Sequence, residues 1–268
     1  MDAPPKAYKN LEFLTSAEAR SIRILSEYIE PRVRFHKNKV KNTIVLFGSA
    51  RTLDRQKAEA QLATAKEQQT NHPGAANDLA VRQAEKRLEL SQYYEDAREL
   101  ARLLTQWSIE RSNGKQSYYI ASGGGPGIME AANRGASEVP GGASVGLNIS
   151  LPMEQGSNPY ITDILNFEFH YFFMRKFWFM YLAKAVVAFP GGFGTLDELF
   201  ETLTLIQTRK LNKKLPVVLY GKSYWKQLIN FDFLVENMTI NKADLDMIYF
   251  TDSPRDAFEY LTENLNGV

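Results

Sequence analysis

The segment PGGFGTLDELFE, residues 190–201, places carboxylates directly after a glycine-rich turn. A glycine-rich turn that leads into a helix leaves backbone N–H groups free to bind an anion such as a phosphate. The carboxylates are Asp197, Glu198 and Glu201. Acids near a helix N-terminus gain about 0.3 to 1 kcal/mol each from the helix dipole, which accounts for Asp197 and Glu201. For Glu198 two roles remain open: a capping box with Thr195, or a position facing the turn and its ligand.

Arg175 lies in a helix-forming stretch of unusual composition, between Met174 and Lys176. At helical spacing it shares one face with four aromatic residues and a leucine: Tyr171, Phe172, Trp178, Phe179 and Leu182. Burying a cation without a partner costs several kcal/mol. Arg175 therefore forms a structural salt bridge, extends to the edge of the helix, or binds an anionic ligand.

Two more glycine turns follow short apolar runs, at residues 48–49 and 122–127. Such runs are typical of buried parallel strands, whose carboxyl ends meet at one edge of a sheet. Backbone amides of three turns can then converge on one phosphate without much net charge. The dinucleotide fingerprint does not fit because Ile128 stands in place of its last glycine, and the P-loop does not fit because Thr195 follows Gly194. A mononucleotide or a sugar phosphate is the expected ligand.

The composition excludes several other kinds of site. The 268 residues include 32 basic and 31 acidic ones, a net charge of +1, so we expect neither nucleic acid nor a membrane surface as a partner. A chain without cysteine has no disulfide, zinc–thiolate site or thiol nucleophile, and its three scattered histidines show no metal-ligand spacing. The N-terminus does not resemble a secretory signal, and charges interrupt the apolar residues 171–190 too often for a membrane span. We expect a cytoplasmic protein without a metal site.

The regular part of the chain predicts an α/β protein. Strands are expected at residues 43–47, 118–121, 143–151, 185–189, 215–220 and 247–250. Helices are expected at residues 93–107, 128–136 and 169–183, from the 190–194 turn to about 209, and at 224–238 and 254–265. Short apolar strands that alternate with helices indicate a parallel sheet with helices on both faces.

Two helical additions to this domain are also predicted. Apolar spacing from residue 15 or 16 indicates a helix that stops at Pro31, so residues 1–39 form an N-terminal helical extension and residues 40–268 the main domain. Residues 52–92 are rich in alanine, glutamine and charged residues and are divided by NHPG at 71–74. This pattern favours a solvated helical hairpin, with a coiled-coil contact to a partner as the alternative.

Three of these motifs resemble those of the LOG (LONELY GUY) family, whose members are often described as lysine decarboxylases. They are SGGGPGIME at residues 122–130, MRK at 174–176 and PGGFGTLDE at 190–198, and the resemblance covers roughly residues 43–265. It implies a Rossmann-like, doubly wound fold and a homodimer or higher homo-oligomer. It also implies hydrolysis of the N-glycosidic bond of a nucleoside 5′-monophosphate to a free base and ribose 5-phosphate, without a cofactor.

The resemblance also assigns roles to single residues. It implies that Arg175 and Glu198 are the catalytic pair. The substrate-binding residues, with the phosphate near the last four, would be Ser49, Gly123, Gly124, Gly125, Met174, Lys176, Gly191, Gly192, Gly194 and Thr195. No lysine is identified that would form a Schiff base with pyridoxal phosphate.

The substrate and the activity leave alternatives open. Plant-type members of the family act on cytokinin riboside monophosphates, and many bacterial members act on AMP. The N-terminal helix and the 52–92 insertion make this chain more similar to the longer bacterial members, so AMP is the expected substrate. The alternatives are a sensor or carrier that binds a nucleotide without hydrolysing it, and a transferase that passes the ribosyl phosphate to an acceptor other than water.

Overall fold

The computed structural model describes residues 4–150, 156–211 and 214–265. Within them, seven strands form one sheet: β1 Thr43–Phe47, β2 Tyr119–Ser122, β3 Ser144–Ile149, β4 Asn166–Phe169, β5 Ala183–Ala188, β6 Val217–Tyr220 and β7 Ile248–Thr251. The α-helices are α1 Leu11–Thr15, α2 Arg20–Lys37, α3 Arg55–Asn71, α4 Ala75–Glu110, α5 Ile128–Ser137, α6 Phe172–Leu182, α7 Phe193–Gln207, α8 Lys222–Leu228, α9 Phe231–Glu236 and α10 Pro254–Leu265. Short 3-10 helices lie at Ala7–Lys9, Asp163–Leu165 and Lys242–Met247.

The strands are parallel throughout and run in the order β4-β3-β2-β1-β5-β6-β7. The chain therefore starts at the centre with β1, builds one half outward to β4, and crosses back to build the other half from β5. The strand order reverses between β1 and β5. In open α/β sheets, ligands bind outside the carboxyl ends of the strands at such a switch point.

Both faces of the sheet are covered, as predicted. All five residues of β1 are buried; Ile44 and Leu46 pack with α4, α5 and α10 on one face, while Val45 and Phe47 pack with α2 and α6 on the other. Helices α7 and α8 cover β5 and β6 on that second side. Strands buried on both faces contain nearly continuous apolar runs, which is why β1, β5 and β6 could be predicted from such runs.

The predicted helical hairpin is confirmed. Helices α3 and α4 pack against each other and are joined at residues 72–74, where the breaker was expected. Among the residues of α3, only Ala58 is buried. The second half of α4 leaves the hairpin and covers the sheet through Tyr94, Leu100 and Leu104.

The prediction that the N-terminal helix stops at Pro31 is wrong. Helix α2 continues to Lys37 with Pro31 in its interior. A proline cannot donate the hydrogen bond that the carbonyl of Glu27, four residues earlier, would accept. The indole Nε1 of Trp178 in α6 donates to this carbonyl instead, over 2.9 Å. A tertiary contact therefore removes part of the cost of a proline inside the helix.

Two further element boundaries differ from the predictions. The helix expected over 169–183 begins at Phe172, because residues 166–169 form the edge strand β4 with alternating burial. The helix expected over 224–238 is divided into α8 and α9, and the side chain of Asn230 caps α9 by accepting from the amide of Phe233. The end of the strand expected over 143–151 lies outside the described residues, and β3 ends at Ile149.

Candidate active site

The three glycine turns meet at the carboxyl edge of the sheet. The amide of Ser49, after β1, donates to the carbonyl of Pro190, after β5, over 3.0 Å. The carbonyl of Ser49 accepts from the amide of Ile128, just after the second turn, over 3.1 Å. Gly127 has a φ of +70°, and a Cβ there would overlap the carbonyl oxygen of Ser49, so only glycine fits this approach. The predicted convergence of the turns is therefore present in the structure.

The third turn leaves the N-terminus of α7 open. Gly192 is the N-cap and no side chain caps the helix, while the first intrahelical bond runs from the amide of Leu196 to the carbonyl of Gly192. A Cβ on Gly192 or on Gly194 would meet no atom within 4 Å. The first-turn amides and the positive end of a 15-residue helix dipole thus face open space, which suits an anion.

The predicted capping box is wrong. Helix α7 begins at Phe193, so Thr195 is its third residue and not the cap. Thr195 is buried beneath the turn, where a Cβ on Gly191 would overlap its Oγ1. Glycine at 191 is therefore required by close packing within the turn, whereas glycine at 192 and 194 leaves room beside it.

Two asparagines that the sequence did not single out fix the second turn. The side-chain amide of Asn158 donates to the carbonyls of Gly124 and Gly125, over 3.0 and 3.1 Å, and to Oδ1 of Asn133, over 3.0 Å. That same oxygen accepts from Ser122 Oγ, which in turn accepts from the amide of Gly124. Asn133 could have been recognised as a polar residue among the alanines of α5. Asn158 lies in a loop and carries no such signal.

Arg175 and Glu198 form a buried pair at this edge. Nη2 of Arg175 lies 3.5 Å from Oε1 of Glu198, and the two side chains are only 14% and 5% exposed. The rings of Phe172 and Phe179 lie 5.2 and 5.6 Å from the guanidinium carbon. Nε of Arg175 is buried without a hydrogen-bond partner in the described part of the chain. Arg175 thus forms a long salt bridge and keeps one donor unused.

Burial disfavours the charged form of both residues, so it raises the pKa of Glu198 and lowers that of Arg175. It raises the pKa of Glu198 to about 7, with smaller contributions from Glu201 and Asp197, although Arg175 and Lys176 act to lower it. Burial also lowers the pKa of Arg175, against the attraction of Glu198, but an arginine remains protonated. A contact of 3.5 Å does not fully replace the lost hydration. Glu198 can therefore gain and lose a proton near neutral pH, as a general acid or base must.

Lys176 is held by two carboxylates of α7. Its Nζ lies 2.8 Å from Asp197 and 2.7 Å from Glu201. Burial alone would lower the pKa of Lys176, but these two bonds raise it above its ordinary value. The helix-dipole role predicted for Asp197 and Glu201 is wrong, because the first turn of α7 contains no acid. They connect α7 to α6 beside the Arg175–Glu198 pair.

The remaining predicted residues occupy less direct positions. Met174 is buried in the core with β1 and β3, and the space above Gly123 and Gly125 is filled by the side chain of Met129. His170 is exposed and lies edge-on to the ring of Tyr171.

Among the described residues, no cluster of histidine, aspartate or glutamate could hold a metal ion. No helix in the described ranges is long and apolar enough to cross a membrane.

An exposed aromatic surface, the α6–α7 face, adjoins the site. It consists of Phe172, Phe173 and Phe177 of α6 and Phe193 and Phe200 of α7, of which Phe193 is 93% exposed. A groove of about 600 Å³ runs along this side of α7, and neither Arg175 nor Glu198 lines it. Large exposed apolar residues beside a groove are a candidate interaction surface. The groove is also lined by Lys176, Asp197 and Glu201, which adjoin the Arg175–Glu198 pair.

Comparison with known proteins gives one family match. The family model described as possible lysine decarboxylase matches residues 129–261, just under half of the chain, including Arg175, Glu198 and the third glycine turn. No curated protein matches the chain. A similar solved structure is the molybdenum cofactor binding protein of the phototrophic bacterium Rippkaea orientalis, with 20% identity, 64% of this chain and 88% of that chain covered, and a TM-score of 0.42. A likeness this distant does not indicate what the present chain binds.

Proposed function

We propose that this chain is a LOG-type phosphoribohydrolase that cleaves the N-glycosidic bond of AMP, giving adenine and ribose 5-phosphate. One observation carries the proposal: a buried carboxylate with a pKa of about 7, Glu198, lies beside Arg175 on the helix whose N-terminus is open to an anion. The match to the lysine decarboxylase family model supports it, because LOG proteins often carry that description. The residues favour hydrolysis over decarboxylation, since the pKa of Lys176 is raised and a Schiff-base lysine needs a lowered one.

The phosphate binds at the amides of residues 193–195, and the ribose extends along α7. Glu198 follows Thr195 by three residues, about 4.5 Å along the helix axis, which is less than the reach from a 5′-phosphate to the glycosidic carbon. The phosphate contacts supply binding energy away from the reacting bond. That energy holds the bond in place beside the carboxylate.

Glycosidic cleavage passes through an oxocarbenium-like transition state. The C1′–N9 bond breaks, its electron pair leaves with adenine, and adenine takes up a proton from solvent, to which Glu198 later returns the proton it gains. A water oxygen bonds to C1′ and gives a proton to the carboxylate of Glu198, whose negative charge also stabilises the positive ribosyl group. Arg175 favours the charged form of Glu198 and holds that carboxylate in position beside the substrate.

The active form is a homodimer, or a higher homo-oligomer, that buries the α6–α7 face. The support for this is the large exposed aromatic surface next to Lys176 and the third turn, which a single chain leaves in water. The reaction needs no cofactor and fits a cytoplasmic location, where AMP is available.

Incubation of the protein with AMP tests the proposal, with free adenine and ribose 5-phosphate measured by chromatography. The proposal predicts equal amounts of both products. Bound but unchanged AMP would identify a sensor or carrier. Adenine without ribose 5-phosphate would identify a transferase once an acceptor is present.

A further inference from the structure

One residue of the N-terminal extension, Glu27 of α2, is bonded to the segment that carries Arg175 at two places. Its carboxylate accepts from the amides of His170 and Tyr171, over 2.8 and 3.2 Å. Its backbone carbonyl accepts from Nε1 of Trp178, over 2.9 Å. These contacts lie on both sides of Arg175, one immediately before α6 and the other within it.

The carboxylate of Glu27 caps α6 from outside the helix. Tyr171 is the N-cap of α6 and contributes no side-chain cap of its own. A carboxylate that accepts from amides at a helix N-terminus is favourable through both the hydrogen bonds and the helix dipole. In the described ranges no lysine, arginine or histidine forms a salt bridge with Glu27, so its charge is directed at these amides.

The backbone contact depends on Pro31. Within a regular helix, the carbonyl of Glu27 would accept from the amide of residue 31, but proline has none. The carbonyl is therefore available to Trp178, whose ring is buried and also packs beside Tyr28 and Phe35 of α2. The proline and the glutamate together fix the register of α2 against α6.

The start of α6 sets the position of Arg175. The amide of Arg175 donates to the carbonyl of Tyr171, over 3.2 Å, so Arg175 lies in the first turn of the helix that Glu27 caps. The contact between Arg175 and Glu198 is 3.5 Å, at the limit of a hydrogen bond. A displacement of a few tenths of an ångström at this helix end is enough to break or to tighten that contact.

We propose that Glu27 is a positioning residue for the Arg175–Glu198 pair, so that the N-terminal extension is part of the catalytic apparatus. This inference rests on the proposed function for its effect on turnover. Its structural content, that Glu27 controls the distance between Arg175 and Glu198, does not depend on which substrate is bound.

The test compares three variants. Glu27→Ala removes both carboxylate oxygens, and Glu27→Gln keeps one side-chain oxygen as an acceptor. Glu12→Gln is the matched control. Glu12 is an exposed glutamate of the same extension that lies on α1. For AMP hydrolysis we expect Glu27→Ala to lower kcat by about 10- to 100-fold with a smaller change in KM, since misplacement by up to 1 Å costs about that much. Glu27→Gln should be intermediate and Glu12→Gln unchanged.

A second readout is the pKa of Glu198, followed by NMR of the glutamate side-chain carboxyl carbons. The charges that face Glu198 are Arg175 and Lys176 on α6 and Asp197 and Glu201 on α7. Weakening the contact with Arg175 removes an interaction that lowers this pKa, so the pKa should rise in Glu27→Ala and rise less in Glu27→Gln. A purely structural role would lower the melting temperature and leave this pKa unchanged.

An unchanged pKa of Glu198 in a folded Glu27→Ala protein would overturn the inference, whether or not the protein hydrolyses AMP. If Glu27→Ala does not fold, Glu27→Gln decides in the same way, because its side chain retains one acceptor for the amides of His170 and Tyr171. Absence of hydrolysis by the wild-type protein would instead refute the proposed function and leave the NMR comparison valid.

Discussion

The two halves of the candidate site handle charge in opposite ways. At the N-terminus of α7, uncharged backbone amides face open space around Gly192 and Gly194. About one turn further along α7, Glu198 is buried beside Arg175 of α6, and burial shifts the pKa values of both side chains. The open half can bind an anion with little reorganisation, whereas the buried half can exchange a proton at neutral pH. Binding and chemistry are therefore separable by mutation.

The largest effect is expected for Glu198→Gln. Loss of a general base costs about 100- to 10,000-fold in kcat, while the phosphate contacts at the amides of residues 193–195 stay intact. We therefore expect kcat for AMP hydrolysis to fall towards the upper end of that range and the Kd for AMP, measured by calorimetry, to change little. Glu201→Gln is the matched control, because Asp197 still pairs with Lys176. Near wild-type turnover in Glu198→Gln would refute the catalytic assignment.

Arg175→Ala should lower kcat by about 100-fold, the usual cost of removing one electrostatic contact to the transition state. The fold should survive, because a pKa of about 7 allows Glu198 to take up a proton when its partner is removed. Thermal melting and turnover measure the two effects, with the exposed Arg255→Ala as control. Unfolding of Arg175→Ala would show that the pair is a structural salt bridge.

Substitutions in the third turn should separate binding from stability. Gly194→Ala adds a methyl group to the open space, so we expect about 10-fold weaker AMP binding and a protein that is as stable or up to about 1 kcal/mol more stable. Gly191→Ala places its Cβ against Thr195 and should cost about 1 to 3 kcal/mol of folding stability. Denaturant unfolding and calorimetry measure both. Equal effects of the two variants would contradict the description of an open anion site.

The buried carboxylate also predicts a pH dependence of stability. The pKa of Glu198 is raised from 4.5 to about 7 in the folded protein, so the folded state holds a proton that the unfolded state releases. This contribution is fully present below pH 4.5 and is lost as the pH rises through about 7. The free energy of unfolding of Glu198→Gln relative to wild type should thus increase by roughly 2 to 3 kcal/mol between pH 4.5 and 8. A constant difference would indicate that Glu198 is ionised at both pH values.

The parts of the fold that follow from local pattern could be predicted from the sequence. Buried strands such as β1 contain a run of consecutive apolar residues, here Ile44 to Phe47, and the three glycine turns mark the ends of β1, β2 and β5. The convergence of these turns follows from parallel topology alone. The importance of Glu198 and Arg175 came from the resemblance of their motifs to a known family.

Features that depend on tertiary contacts were missed. Pro31 lies inside a helix, and the indole of Trp178, distant in sequence, donates the hydrogen bond that the carbonyl of Glu27 cannot receive from a proline. Asp197 and Glu201 bind Lys176 and not the helix dipole, because α6 packs beside α7. Asn158 donates hydrogen bonds to the carbonyls of the second turn, but it lies in a loop whose sequence shows no recognisable motif. Each of these contacts joins residues that are distant in sequence, so no local sequence motif predicts it.

The pH dependence of kcat/KM for AMP hydrolysis tests the central claim most directly. If Glu198 acts as the base, activity should rise with pH along a limb whose apparent pKa is about 7, because the carboxylate must be deprotonated. The second ionisation of the substrate phosphate has a pKa of about 6, and AMP binding to Glu198→Gln over the same pH range separates it. A profile that is flat between pH 6.5 and 8 once the substrate ionisation is removed would contradict the account.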